Sequence, residues 1–127
     1  MTYNIPQKDT KPKKTYNVTI EGDTYTVKAS VLIAKEATHY YNALQKAVSK
    51  LNDGLEELEK VYDNMFSLFD ILLGEKKARK LIEKIDDKYD TESAQEYLLK
   101  CAVALYSISS GANQESIDNI FFEQKTE

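Results

Sequence analysis

Residues 37–72 read ATHYYNALQKAVSKLNDGLEELEKVYDNMFSLFDIL, and in this stretch large apolar side chains recur at alternating steps of four and three. Ala37, Tyr41, Leu44, Val48, Leu51, Leu55, Leu58, Tyr62, Met65, Phe69 and Leu72 fall on one narrow stripe of an α-helix. The average repeat is that of a coiled-coil seam. Each large side chain on it gains roughly 1.5–3 kcal/mol by leaving water, so the seam demands a partner surface. Gly54, preceded by Asn52 and Asp53, is a natural helix stop and costs about 1 kcal/mol relative to alanine inside a helix. Two antiparallel helices joined by a turn at Asn52–Gly54 are therefore one reading. The seam nevertheless passes the glycine in phase, which favours a single long helix kinked at Gly54.

The chain of 127 residues is long enough for one domain with one core. A net charge of −4 disfavours a nucleic-acid partner, because neutralising phosphates needs a concentrated positive face. The single cysteine, Cys101, excludes an intramolecular disulfide, and its apolar helical setting marks it as a small buried hydrophobe. No run approaches the roughly 18 apolar residues of a membrane span, and no signal peptide is evident in the first twenty residues. The expected location is a cytoplasm.

Residues 1–14 are polar, contain Pro6 and Pro12, and carry Lys8, Lys11, Lys13 and Lys14 against Asp9. They read as a flexible basic arm. Residues 15–110 read as a single domain, a β-hairpin followed by helices, and residues 111–127 as a tail. In the hairpin, Tyr16, Val18 and Ile20 alternate with polar residues, as do Tyr25 and Val27 beyond Gly22-Asp23. A two-residue turn at Gly22-Asp23 would pair Glu21 with Thr24, Ile20 with Tyr25, Val18 with Val27 and Tyr16 with Ala29. A lone hairpin is marginal in water, so its apolar face must sit on a helix or join another chain's sheet. Ser30 is a plausible cap for a helix starting at Val31, whose first turn, Val31–Ala34, is apolar all round and suits packing against the hairpin. His39, the lone histidine, has no metal-ligating neighbours in sequence.

Beyond Gly54, Glu56, Glu57, Glu59 and Asp63 form an acidic outer face, either simply solvated or a dock for a basic partner. Tyr62, Phe66, Phe69 and Leu73 widen the seam into a face broad enough for two neighbours. Gly74 ends that helix. A short amphipathic helix follows over Glu75–Ile85, then a connector at Asp86–Asp90, then a final helix capped by Thr91 or Ser93. Its buried face comprises Ala94, Tyr97, Leu98, Cys101, Ala102, Leu105, Tyr106 and Ile108. The run around Ile117, Ile120, Phe121 and Phe122 is a possible short helix, stapled to the core or left as a sticky patch. The fold class is thus mainly α with a small N-terminal β-hairpin.

Nothing in the sequence has the form of a reaction centre. It holds no glycine-rich phosphate loop, no cysteine or histidine cluster, no nucleophile elbow and no isolated carboxylate pair. No catalytic, cofactor or metal residues are assigned, and no enzyme activity is expected. The candidate partner-binding residues are Tyr62, Phe66 and Phe69.

The layout Tyr16–Val27 hairpin, long charged helix, Met65-Phe66-Ser67-Leu68-Phe69-Asp70-Ile71-Leu72-Leu73-Gly74-Glu75, Lys77-Ala78-Arg79-Lys80-Leu81 and a last helix with Cys101 resembles the tail assembly chaperones of long-tailed phages and prophages of Gram-positive bacteria. The likeness covers residues 15–108. It implies a non-enzymatic protein of the host cytoplasm that coats the helical tape-measure protein and yields it to tail-tube subunits. It also implies absence from the finished virion. Two other readings share the local features: a helical structural or adaptor protein that forms a homo-oligomer, and a small nucleic-acid-binding regulator using the arm and the Glu75–Ile85 helix, which carries Lys76, Lys77, Arg79, Lys80 and Lys84.

Overall fold

The seam does not run through one helix. In the structure, a computed structural model that describes residues 1–7 and 15–122, helix α1 spans Val31–Ser49 and helix α2 spans Leu55–Leu73. A single 3-10 turn at Leu51–Asp53 lies between them. Gly54 has φ 130° and ψ −173°, a conformation outside any helix and strained for a residue with a Cβ. The turn chemistry of Asn52-Asp53-Gly54 therefore overrides the periodicity, and α2 folds back along α1. The two seam positions next to the glycine are the ones released: Leu51 is 40% exposed and Leu55 79%. On either side the seam is spent within the domain, with Ala37, Leu44, Met65, Phe69 and Leu72 buried.

Strands β1 (Tyr16–Ile20) and β2 (Asp23–Val27) form an antiparallel pair, as the alternation predicts, but the turn is one residue earlier than expected. Glu21 and Gly22 occupy it with φ 51° and 84°, the two positive values that a type I′ turn requires. Ile20 pairs with Asp23, Val18 with Tyr25 and Tyr16 with Val27, which replaces the expected pairings of Ile20 with Tyr25, Val18 with Val27 and Tyr16 with Ala29. Because the shift moves every pair by two positions on β2, the side chains keep their faces. Ile20, Tyr25 and Val27 are buried. The Lys28 amide donates to the Leu72 carbonyl at 2.7 Å and ties the end of β2 to the end of α2.

Ser30 caps α1 by accepting from the Ile33 amide at 3.1 Å. Its first turn does not pack on the hairpin as expected: Val31 is 87% exposed and Leu32 77%. Ile33 and Ala37 set the inward face of α1, and at 100° per residue Val31 and Leu32 point away from it.

Gly74, at φ 89°, separates α2 from α3, which spans Glu75–Lys88 and buries Ala78, Leu81 and Ile85. Helix α3 thus runs through most of the expected connector. Asp90, not Thr91 or Ser93, caps α4 (Thr91–Ser109), its carboxylate accepting from the Ser93 amide at 2.8 Å. Helix α4 covers the hairpin of helices: Tyr106 stacks on Tyr41 with ring centroids 4.2 Å apart, and the Thr38 and Tyr106 hydroxyls are 2.9 Å apart. Helix α5 (Gln114–Phe121) is capped by Asn113 and folds back on α4, where Phe121 meets the edge of Tyr97 at 5.9 Å. Of the paired phenylalanines, Phe121 is the staple and Phe122 stays 74% exposed. The basic arm expected from Lys8 to Lys14 lies outside the described residues.

Candidate functional site

Among the described residues, a stripe on α2 and a groove beside β1 are open enough to receive another molecule. The first is on α2. Phe69, expected to touch a partner, has no exposed surface and belongs to the core between α2 and the elements that cover it. This corrects the sequence reading. A seam residue at the covered end of the helix hairpin is consumed by the fold itself. Tyr62 and Phe66 are half-buried, with ring centroids 6.0 Å apart and nearly parallel. The Gln95 side-chain amide on α4 donates to the Tyr62 hydroxyl, and the Arg79 guanidinium on α3 stands 6.0 Å over the Phe66 ring.

Toward the Gly54 end the same face is uncovered. Leu55 is exposed and Leu58 half-buried, so Leu55, Leu58, Tyr62 and Phe66 make a stripe at steps of three, four and four. At 1.5 Å per residue it is about 16 Å long. Exposed Glu56, Glu59 and Asp63 border it, while the half-buried Glu57 is engaged by Lys60 at 3.2 Å. Such a border favours a partner whose apolar stripe is flanked by basic residues.

The second surface is a groove of about 1060 Å³ between β1 on one side and α4 and α5 on the other. Tyr97, Cys101, Leu105 and Ile108 of α4 and Ile117 and Phe121 of α5 supply its apolar wall, and Thr15 to Glu21 its opposite edge. The hairpin alternation announces a strand with an open edge. The groove itself was not readable, because it exists only once α5 doubles back beside β1.

The charged groups near the groove are fastened to the fold. The Glu21 carboxylate accepts from Lys88 Nζ at 2.5 Å and from the Tyr89 hydroxyl at 2.7 Å, and these bonds hold it below the usual carboxylate range. Lys84 bridges to Asp23 at 2.9 Å on the other side of the turn. Burial, then the Glu21 charge, pushes the Cys101 thiol up to about 12, so at neutral pH it carries its proton. Burial likewise raises Tyr97. His39 is exposed on α1, edge-on to Tyr40. Among the described residues no group of three or more histidine, cysteine or acidic side chains could hold a metal ion. No helix among them is long and apolar enough to cross a membrane.

Comparison of the chain with family models, with curated proteins and with solved structures finds no match.

Proposed function

We propose that this protein is a non-enzymatic tail assembly chaperone that binds the helical tape-measure protein of a long-tailed phage in the host cytoplasm and assists assembly of the tail tube. The observation that carries the reading is the half-open stripe Leu55, Leu58, Tyr62 and Phe66 on α2, bordered by Glu56, Glu59 and Asp63. An amphipathic helix recognises such a stripe through residues spaced by three and four, which is how a long helical protein would present itself. The resemblance in layout over residues 15–108 supplies the identity of that helix. Phe69 takes no part, and contact falls to Tyr62 and Phe66 with the two leucines above them.

The stripe suits a transient contact. Only its upper end is well exposed, so a partner gains a few large apolar side chains and the electrostatic register of the acidic border. A weak, renewable contact repeated along a long helix matches a role in which the chaperone is later displaced by tube subunits.

Co-expression with the long helical tail protein tests this. The expected result is a soluble partner that co-purifies with the chain, and loss of capture with Leu55→Asp or Leu58→Asp. A partner that still aggregates, with no complex formed, refutes the reading.

A further inference from the structure

We propose that residues 1–5 of one copy of this chain lie in the groove of a second copy as an added strand on β1, making the protein an arm-exchanged dimer. The slot is a strand slot. In a hairpin closed by a two-residue turn, the flanking pair Ile20 and Asp23 is hydrogen-bonded, and so are the alternate pairs Val18 with Tyr25 and Tyr16 with Val27. The amides and carbonyls of Asn17 and Thr19 therefore point away from β2, along the edge that borders the groove. Among the described residues no backbone hydrogen bond from another element reaches them. An unpaired edge facing an apolar wall is the arrangement that accepts an extended segment by strand addition.

The same chain carries a segment of the matching kind. Met1, Tyr3 and Ile5 alternate with Thr2 and Asn4, the period of a strand with one apolar face, and Pro6 closes the run. All three apolar side chains stand in solvent, 109%, 82% and 95% exposed. Seated on β1, one face of this strand would meet Tyr97, Leu105 and Ile108, while its backbone pairs with Asn17 and Thr19.

Charge agrees. The segment is followed by Lys8, Lys11, Lys13 and Lys14 against Asp9; on the groove Glu21 is held by Lys88 and Glu96 by Lys100 at 3.3 Å, which leaves Asp118 as the acid facing a basic arm. The chain enters the domain at Thr15, on the groove itself. Covalent geometry lets the seven residues from Lys8 to Lys14 span at most about 25 Å. Exchange between two copies fills both grooves and leaves no arm unpaired, so it closes as a two-fold dimer. The α2 stripe stays free, and the inference does not depend on the tail chaperone reading.

Sedimentation equilibrium of the full chain across a concentration series tests the proposal. A mass twice that of the 14.5 kDa chain is expected. Removal of residues 1–7 is expected to return the single-chain mass with an unchanged helical circular dichroism signal. Ile5→Asp, at a site exposed in the single chain, is expected to weaken the dimer by about tenfold or more. For the direction of exchange, chains with Ile5→Cys and chains with Val18→Cys, whose side chain is on the groove face of β1, both carrying Cys101→Ala, are mixed and oxidised. A disulfide-linked pair of the two chains supports exchange. A full chain that stays monomeric, a dimer that survives the deletion, or an Ile5→Cys and Val18→Cys double variant that links within one monomer each overturns it.

Discussion

The Glu21 carboxylate accepts a hydrogen bond from the Tyr89 hydroxyl at 2.7 Å, joining the tip of the β-hairpin to the junction of α3 and α4, 68 positions along the chain. Glu21 does this at φ 51°, a left-handed conformation that costs a residue with a Cβ roughly 1–2 kcal/mol. Glycine or asparagine would be the ordinary choice there. The tether to Tyr89 and Lys88 explains the glutamate, and with it the placement of the turn at Glu21-Gly22.

Tyr89→Phe should therefore destabilise the fold by about 1 kcal/mol, the usual loss when one such bond is removed. Glu21→Gln should destabilise it as well, and the effects of the two changes should not add, because they remove one shared interaction. The Lys88 bond, then the Tyr89 bond, lowers the Glu21 pKa, so this stability is present above the unfolded value of 4.5 and is lost as pH falls through the folded value. Lys88 is raised by its bond to Glu21, so its share is present below 10.5 and lost as pH rises through the folded value. Urea unfolding should show the gap between wild type and Glu21→Gln closing in both acid and strong alkali. A gap that is flat with pH would sink this account.

Gly54→Ala has opposite signs in the two arrangements that the seam allows. In a continuous helix, alanine would add about 1 kcal/mol of stability. At φ 130° the same change costs about 1–3 kcal/mol, although a Cβ there would meet nothing within 4 Å. The urea midpoint is expected to fall with an unchanged slope.

Asp70 works against the fold at neutral pH. Its Oδ1 is buried without a hydrogen-bond partner, and its Oδ2 lies a long 3.6 Å from Arg79. Burial raises its pKa, Arg79 lowers it in part, and Glu75 raises it further. An acid raised on folding destabilises where it is ionised, so the cost is full above its folded value and vanishes below the unfolded 3.8. Asp70→Asn should stabilise the protein by about 1 kcal/mol at pH 7 and by nothing below pH 3.8. Denaturant titrations at the two pH values measure the difference.

These positions also mark what could be read from the sequence. Alternation fixed the faces of Tyr16, Val18 and Ile20, and the 3.6-residue period fixed Ala78, Leu81 and Ile85, because each signal is local and burial enforces it. The turn at Glu21 was misplaced by one residue, since its cause is Tyr89, far along the chain. The seam misled for a related reason. Periodicity across Gly54 records that Leu51 and Leu55 are apolar, but only the third dimension shows that they flank a bend and that Phe69 is buried in the core. Tyr62 and Phe66 are half-buried against the core, and the groove needs the return of α5.

Cys101 connects stability to a chemical readout. It is 2% exposed, and burial with the nearby Glu21 charge pushes its pKa up to about 12, so at pH 8 the thiol keeps its proton. Alkylation of the native protein must then wait for opening of the helices around α4. Labelling by iodoacetamide should be far slower than in urea. If the opening is global, Gly54→Ala, destabilising by about 1–3 kcal/mol, should speed it roughly 5- to 150-fold, even though Gly54 is in the α1–α2 turn and Cys101 on α4. An unchanged labelling rate in a variant whose urea midpoint has fallen would mean instead that α4 opens locally, independently of the α1–α2 hairpin.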